Sequence, residues 1–219
     1  MAVIVPAWNE STLDHTLARV RAHLPHEIIV VHSGDPVTVA ALRDAPAYVR
    51  QEWAPRGRAW QMNAGAAVAG ADVLLFLHAD TELPAHAIAA VRRGVEAGAL
   101  WGFFPVRLAG RHPLFRVIER MMNWRSRITG IATGDQAIFV QRHAFELLGG
   151  YAPIALMEDI DLCQRLKWLG RPARLPTPVV TSSRRWETRG IWRTVLLMWW
   201  LRGLYALGVS PQRLARWYQ

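Results

Sequence analysis

The chain has 219 residues, 52% hydrophobic and 20% charged, which suits one α/β domain with a substantial core and is too short for two ordinary domains. Its single cysteine, Cys163, excludes a disulfide framework and a zinc knuckle. The formal net charge of +9, carried almost wholly by arginine, favours a polyanionic partner such as nucleic acid, anionic lipid or a phosphorylated small molecule.

Two features of the sequence narrow these classes. A zinc-finger motif, an RNP-type aromatic motif and a Lys/Arg-rich tail are all absent from the sequence, which disfavours nucleic acid as the partner. The opening MAVIVPAWNE has no basic region followed by a long apolar core, so we expect a first strand there rather than a signal peptide. Together with the single cysteine, this predicts a cytoplasmic protein.

Short apolar runs alternate with helical patterns in the first half of the chain. In chain order, the pattern predicts a strand at 2–5 stopped by Pro6, a helix at 11–24, strands at 27–31 and 47–51, a helix at 58–69, a strand at 72–77, and a helix at 84–97 with proline in its first turn. This alternation predicts a mainly parallel sheet covered by helices on both faces. Ligands of such sheets bind beyond the carboxyl ends of the strands, where the polar clusters at 6–10, 32–35 and 78–80 fall.

The second half is less regular. It predicts a strand at 101–108, a helix at 112–127, a strand at 135–140 and a helix at 159–169. We therefore expect one catalytic domain over residues 1–189, followed by an amphipathic helical extension over residues 190–219.

The extension contains the sequence IWRTVLLMWWLRGLYALGV. Its apolar stretch between Arg193 and Arg202 is far shorter than the roughly 20 residues that span a bilayer. Tryptophans with flanking arginines are typical of a helix that lies in a membrane interface, which predicts peripheral contact through residues 190–209 at the inner face of the cell membrane. The alternative is a helix that packs its apolar stripe on the domain.

Four stretches carry a family resemblance: VPAWNE (5–10), RGRAWQMNAG (56–65), FLHAD (76–80) and MEDIDLCQRLKWLG (157–170). In this order they resemble glycosyltransferase family 2, and the resemblance covers almost the whole chain. It implies the GT-A fold, a three-layer α/β/α sandwich, and inverting transfer of a hexose from a nucleotide-diphosphate donor to a hydroxyl acceptor. The fuller wording GRAWQMNAG, FLHADT, GDQAIFV, LMEDIDL and TSSRRWE is similar to a short bacterial subfamily labelled arsenosugar-biosynthesis or radical-SAM-associated transferases.

The stretch LLFLHADTELP raises the question of a metal site, because an apolar run ends there on an acid. An unpaired buried carboxylate costs several kcal/mol, so Asp80 must lie at the strand end, bind a cation, or both. In the resembled family an Asp-x-Asp triplet that holds a divalent cation stands at this place. The resemblance therefore implies a Mg²⁺ or Mn²⁺ site at Asp80 and His78, and His78 departs from the acidic pattern.

The resemblance also implies contacts with the nucleotide-sugar donor. These are Pro6, Ala7, Asn9 and Glu10 after the first strand, Ser33 and Asp35 after the second, Arg58 and Asn63 on the following helix, Gly134, Asp135 and Gln136, and Arg185 and Trp186. His32 and Ser33 occupy positions where the family usually has two acids. By position in the family, Trp101 and Gly102 are further expected contacts of the sugar or acceptor.

The acidic sequence Glu158-Asp159 begins the helix at 159–169. The resemblance implies that Asp159 is the general base, with Glu158 beside it, whereas Asp161 is interpreted as structural. Acids in a first helical turn are also stabilised by the helix dipole, which alone explains their presence. Two rival functions stay open: a nucleotidyltransferase-like enzyme, and a non-catalytic, membrane-associated protein that binds nucleotide sugars.

Overall fold

The computed structural model describes residues 1–11 and 13–218, except for the side chain of Arg185. Within that part of the chain, the strands form a seven-stranded sheet in the order β3-β2-β1-β4-β8-β6-β9 and a three-stranded sheet in the order β5-β10-β7. The strands are β1 (Ala2–Ala7), β2 (Glu27–His32), β3 (Val49–Trp53), β4 (Val73–Phe76), β5 (Thr81–Glu82), β6 (Trp101–Phe103), β7 (Val106–Leu108), β8 (Ile138–Gln141), β9 (Ala173–Arg174) and β10 (Val179–Thr181).

Helices connect these strands and cover both faces of the large sheet. They are α1 (Leu13–Arg21), α2 (Pro36–Leu42), α3 (Arg58–Val68), α4 (Ala87–Glu96), α5 (Pro113–Thr129), α6 (Arg142–Leu147), α7 (Glu158–Leu169), α8 (Arg184–Arg189), α9 (Ile191–Ala206) and α10 (Pro211–Tyr218). Among the described residues, none of these helices is both long and apolar enough to cross a membrane.

The core lies on both sides of the large sheet. Alternate residues of β1 enter different clusters: Ile4 packs with α3 on one face, and Val3 and Val5 pack with α1 on the other. Because both faces are buried, the central strands read as unbroken apolar runs rather than as alternating patterns. The predicted three-layer, mainly parallel architecture is confirmed.

Strand β1 continues through Pro6 to Ala7, so the prediction that Pro6 stops this strand is wrong. Pairing of β1 with β4 ends at Ile4, whereas pairing with β2 continues to Ala7. The N–H that Pro6 lacks therefore costs no ladder hydrogen bond on the β4 side.

Residues 101–108 form two strands, not the single predicted strand. β6 pairs with β8 and β9 in the large sheet, whereas β7 pairs with β10 in the small one. The chain changes sheets at Pro105, which cannot donate a hydrogen bond to a ladder. Helix α4 also begins three residues after Pro84, and β8 begins at Ile138 rather than at residue 135.

Gly65 fixes how closely α3 approaches the sheet. A Cβ atom at this position would lie 2.5 Å from Cγ2 of Ile4 and 3.1 Å from Cγ2 of Val31. Both contacts belong to buried core residues, so an added methyl group forces the helix and the sheet apart.

We predict that Gly65→Ala lowers the free energy of unfolding by about 1–3 kcal/mol, because the gain in helix propensity is smaller than the overpacking of the core. Gly203→Ala is the matched control, since Gly203 is also helical and has open space around its Cα. It should raise stability by up to about 1 kcal/mol. Urea unfolding of the two variants measures both signs, and a Gly65→Ala variant as stable as the parent would contradict the close approach.

Candidate active site

Four loops meet at one edge of the large sheet. The parallel strands β1, β2 and β4 all end there, and β8 begins there because it runs antiparallel to β4, with Ile138 opposite Phe76. The polar clusters after the three parallel strands therefore lie beside the turn at Gly134–Gln136 that precedes β8. The predicted convergence of these clusters on one edge is confirmed.

Gln61 joins the ends of the first two strands at this edge. It is buried on α3, and its Nε2 donates to the carbonyl of Ala7 at 2.8 Å and to that of Val31 at 3.0 Å. A buried amide that bridges two strands aligns the loops that follow them. Sequence analysis did not single out Gln61, although it lies inside the stretch RGRAWQMNAG.

Asp35 ties the loops after β1 and β2 together. Its Oδ1 accepts hydrogen bonds from the N–H groups of Thr38 at 2.9 Å and Asn9 at 3.1 Å, and it caps α2. Burial alone would raise the pKa of Asp35, but the hydrogen bonds from Thr38 and Asn9 outweigh it and lower that pKa. Oδ2 of Asp35 and Oγ of Ser33 are buried without a hydrogen-bond partner among the described residues. These two atoms have hydrogen-bonding capacity left for a ligand.

Aromatic side chains border this pair of loops. Trp53 is 64% exposed and lies against Gly34, and the guanidinium of Arg56 stacks over the ring of Trp8 at 4.3 Å. Exposed indoles at the mouth of a polar pocket offer a flat surface to a planar ligand. Neither the indoles nor Arg56 stood out as a site residue in the sequence, because isolated tryptophans have many ordinary uses.

Glu10 and Asp80 face the same space. The pKa of Glu10 is raised, first by burial and then by the carboxylate of Asp80. The cations Arg184 and Arg58 act on the same carboxyl group in the opposite direction, as does His78. The loop after β1, the end of β4, the start of α3 and the start of α8 therefore surround one cleft.

Arg58 lies among the acids of this cleft, at the first position of α3. Burial would lower its pKa, but the carboxylates of Glu158, Asp135, Asp159 and Asp80 together raise it. Nη1 of Arg58 lies 4.0 Å from Oε1 of Glu158. Asp80 and Asp159 are therefore both within electrostatic reach of Arg58.

Asp159 is held by two backbone N–H groups. Its Oδ2 accepts from Gly134 at 2.8 Å, and its Oδ1 accepts from Ile160 at 2.7 Å. Burial nevertheless raises the pKa of Asp159. Burial and the adjacent charge of Asp159 raise the pKa of Glu158 to about 7. A carboxylate that is fixed in place and more basic than usual is suited to accept a proton.

His78 is enclosed by protein groups. Its Nδ1 lies 3.2 Å from Oδ1 of Asp135, and its Nε2 side packs against Gly134, where a Cβ atom would clash with the ring. A carboxylate can only accept, so Nδ1 is the donor in this bond. Both ring nitrogens of His78 therefore face the protein, which does not favour its predicted role as a metal ligand.

Asp80 presents a different geometry. It is exposed at the end of β4, and its Oδ1 lies 3.5 Å from Oγ1 of Thr81. No group of three or more His, Cys, Asp or Glu side chains in the described part of the chain is arranged to hold a metal ion. The residues present therefore fit a cation held by one carboxylate together with ligand phosphates and water, a coordination that Mg²⁺ commonly uses.

The site and fold agree with the sequence family. A model of the family described as glycosyl transferase family 2 matches residues 2–145, about two thirds of the chain. The chain belongs to glycosyl transferase family 2. Membership supports a role in glycosyl transfer for this family 2 chain, and no curated protein matches it in sequence.

Solved structures similar to this family 2 chain have the GT-A fold. The mannosyltransferase PcManGT from Pyrobaculum calidifontis, in complex with GDP-Man and Mn²⁺, aligns with 24% identity and a TM-score of 0.60 over 83% of this chain and 55% of its own. TarS 1-349 from S. aureus in complex with UDP-GlcNAc aligns with 15% identity and a TM-score of 0.66 over 83% of this chain and 58% of its own. This chain thus spans somewhat more than half the length of these neighbours, whose likeness confirms its GT-A fold.

Several predicted donor contacts of the family 2 chain have other partners. Gln136 is fully buried and bonds to Phe104, Ser126 and Thr133, so its side chain cannot reach a ligand. Asn63 donates to the carbonyl of Tyr151 at 2.8 Å and accepts from its N–H at 2.9 Å, which ties α3 to the loop before α7.

Four other predicted contacts pack against protein groups or lie outside the described residues. Trp186 packs against the cluster that contains Phe115 on α5, and Trp101 is fully buried with its indole N–H bonded to Gly170. Gly102 allows β6 to approach β9, because a Cβ there would collide with the carbonyl of Ala173. The side chain of Arg185 lies outside the described part of the chain.

We predict a pH-dependent loss of stability from Glu158. Its carboxyl group keeps its proton in the folded chain up to a pKa of about 7, against an ordinary value of 4.5 when unfolded. Between these pH values the folded state binds more protons than the unfolded state. The contribution of Glu158 to the free energy of unfolding should therefore be fully present below this range and fall by about 1–3 kcal/mol as pH rises through it.

Urea unfolding across that pH range measures the effect. Glu158→Gln should flatten the decline and raise stability above its upper end, because the buried group can no longer ionise. Glu146→Gln, on the exposed face of α6, should leave the slope unchanged. An equally steep decline in Glu158→Gln would show that another group is responsible.

Proposed function

We propose that the chain transfers a hexose, with inversion, from a nucleotide-diphosphate sugar to a hydroxyl acceptor, and that it requires a divalent cation. The proposal is supported by the charges of Asp80 and Asp159, which both act on the guanidinium of Arg58, and by the two N–H groups that hold the Asp159 carboxylate. One acid would hold a cation and the other would accept a proton, which are the two roles that a single-displacement transfer needs.

The nucleotide would occupy the loops after β1 and β2. Ser33 Oγ and Asp35 Oδ2 are buried without partners among the described residues and are placed to bond a base or ribose, in place of the two acids usual at the end of β2. Backbone groups from Pro6 to Glu10 form the opposite wall. Trp53 is exposed beside this pocket and would lie against the base.

The diphosphate would lie between Asp80, Arg58 and Arg184. A cleft lined by several carboxylates repels an anionic diphosphate unless positive charge compensates it. The two arginines supply part of that charge, and Mg²⁺ or Mn²⁺ held by Asp80 would supply the rest by neutralising the phosphate oxygens as they leave. The complex of PcManGT with GDP-Man and Mn²⁺ supports this assignment by analogy of fold.

Asp159 would act as the general base. The acceptor oxygen attacks the anomeric carbon, the bond from that carbon to the diphosphate oxygen breaks, and the acceptor proton moves to Asp159. The N–H groups of Gly134 and Ile160 keep the carboxylate oriented, and each of its oxygens retains a lone pair for the proton. Glu158 beside it pairs with Arg58 and raises the local negative charge when it ionises. A single displacement inverts the anomeric configuration.

The proposal includes three further assignments. Residues 1–189 would be the catalytic domain and residues 190–219 an extension, within the short bacterial subfamily labelled arsenosugar-biosynthesis or radical-SAM-associated. The motif wording from GRAWQMNAG to TSSRRWE supports that subfamily. Peripheral contact with the inner face of the cell membrane through residues 190–209 is supported by the exposed indoles of α9.

We predict that Asp159→Asn lowers turnover at least about 100-fold while leaving donor affinity nearly unchanged, because an amide cannot accept the acceptor proton. Asp161→Asn is the matched control, since Asp161 lies in the same helical turn but pairs with Arg165 at 2.8 Å. Sugar release and transfer are measured with labelled GDP-mannose and UDP-N-acetylglucosamine. Unchanged turnover in Asp159→Asn would refute the base assignment, whereas donor binding without any turnover in the parent would favour a non-catalytic binding protein.

We predict that Asp80→Ala removes the dependence of donor binding on Mn²⁺ and weakens binding in Mn²⁺ by about tenfold or more, because the cation loses its protein ligand. Asp72→Ala is the control at the opposite, exposed end of β4. Calorimetric titration with and without Mn²⁺ measures both variants. Donor affinity that does not respond to Mn²⁺ in the parent protein contradicts the cation proposal.

A further inference from the structure

Helix α9 has apolar residues on every side of its axis, besides Arg193 and Arg202, and so lacks an amphipathic pattern, yet the rest of the described chain covers one side only. Leu201 is fully buried, whereas Trp192, Leu196 and Trp199 are 64–68% exposed and follow one another on a single stripe. Soluble helices usually place polar residues on the side away from the core. The outer side of α9 therefore lacks its partner within the described chain.

Helix α5 carries a second exposed apolar stripe. Met121, Trp124 and Ile128 are 43%, 67% and 63% exposed and recur at intervals of three and four residues. The two helices are neighbours, because Ile118 of α5 packs in one cluster with Val195 of α9. We call the exposed apolar residues of α5 and α9 the apolar face. Several large apolar side chains exposed on two neighbouring helices favour a site of interaction.

Charge decides between a lipid surface and a second copy of the chain as the partner of this face. Residues 190–219 contain four arginines, at 193, 202, 213 and 216, and no acidic residue. A symmetric pair of copies would bring these like charges together, whereas an anionic bilayer attracts them. With 16 residues, α9 is about 24 Å long and shorter than a hydrocarbon core of about 30 Å, so it suits a position along the interface.

Helix α9 and the following helix α10 pack against the segment that carries the base. Leu201 of α9 and Leu214 of α10 form a buried cluster with Met157 and Ile160, which flank Glu158-Asp159. Helix α9 would therefore separate a membrane seated on the apolar face from the segment that carries the base by the width of one helix, about 10 Å. The donor loops after β1 and β2 belong to other elements of the sheet edge.

Two arginines on these helices each have a buried side-chain nitrogen with donor capacity left. Nε of Arg125 on α5 and Nε of Arg202 on α9 are both buried without a hydrogen-bond partner among the described residues. Nη2 of Arg125 donates to the carbonyl of Ile131 at 3.5 Å, three residues before Gly134, whose N–H bonds to Asp159. Burial lowers the pKa of Arg125, and the charges of Asp159 and Asp135 oppose that change. A guanidinium with free donors matches the oxygens of a phosphate.

We propose that the apolar face docks on an anionic lipid surface and that the acceptor is a hydroxyl of a phosphate-bearing lipid headgroup, oriented by Arg125 beside Asp159. This inference rests on the proposed transferase activity. The lipid oxygen bonds to the anomeric carbon, the carbon–diphosphate bond breaks, the hydroxyl proton passes to Asp159, and the nucleoside diphosphate leaves. The product is a glycosylated lipid that stays in the bilayer.

Docking is tested by sedimentation of the full chain with vesicles of phosphatidylcholine alone or mixed equally with phosphatidylglycerol. The parent should pellet with the anionic vesicles, and the double variant Leu196→Ser/Trp199→Ser should partition at least about tenfold less. Trp168→Ser, at an 89% exposed indole on α7, is the control and should bind as the parent does. Equal pelleting of all three proteins overturns the proposal, as does light scattering that shows a dimer in the parent, a monomer in the double variant and no vesicle binding in either.

The acceptor is tested with sugar-labelled GDP-mannose and UDP-N-acetylglucosamine, Mn²⁺ and vesicles of total bacterial lipid. Label should enter the organic phase, and Arg125→Gln should lower that transfer about tenfold or more without changing donor affinity, with partial recovery in Arg125→Lys. Donor that binds and is hydrolysed while no label enters lipid overturns the lipid acceptor and leaves the transferase intact. Failure of every donor to bind counts instead against the proposed function.

Discussion

The arrangement of this site depends on the electrostatic attraction between the guanidinium of Arg58 and the carboxylates around it. Four carboxylates from three separate parts of the chain act on it, namely those of Asp80, Asp135, Glu158 and Asp159. Acids this close in a partly buried cleft would repel one another without a cation among them. Arg58 is itself placed by α3, which Gln61 ties to the ends of β1 and β2. The packing of one helix on the sheet thus sets the electrostatics of the cleft.

The cleft is acidic although the chain carries a net charge of +9. Burial raises the pKa of both Glu158 and Asp159 in this cleft, whatever the net charge of the chain. In the proposed function a cation would accompany the anionic donor there, since the acids alone would repel a diphosphate. The basic surplus lies elsewhere, in arginines that include those of the carboxyl-terminal helices.

Asp159, the proposed base, is held by contacts with both halves of the molecule. Its carboxylate is bonded to the turn before β8 through the N–H of Gly134, and its flanking residues Met157 and Ile160 pack on α9 and α10. The side chain that would take the acceptor proton is therefore held between the sheet edge and the helices that carry the apolar face. A transferase built this way would receive its donor from the side of β1 and β2 and its acceptor from the side of α5 and α9.

Local patterns in the sequence were enough to predict the alternation of strands and helices, the parallel core and the order of the motifs, because buried parallel strands and amphipathic helices have distinct periods. The polar clusters after β1, β2 and β4 meet at one edge because these three strands are parallel and end on the same side of the sheet. Helix α2 was not predicted, since its apolar pattern is short, although Asp35 and Pro36 provide its cap and first turn.

Side-chain direction and strand pairing, in contrast, were decided only by the tertiary structure. In the stretch Gly134-Asp135-Gln136, the glycine packs against the ring of His78 and the side chain of Asp135 bonds to that ring. The side chain of Gln136 is buried in the core. The ring of His78 turns toward Asp135, a residue 57 positions away, because β8 pairs antiparallel with β4. The sequence by itself determined which residue types reach the edge of the sheet. Which of them face a ligand depended on contacts between distant segments, and no local pattern encodes those contacts.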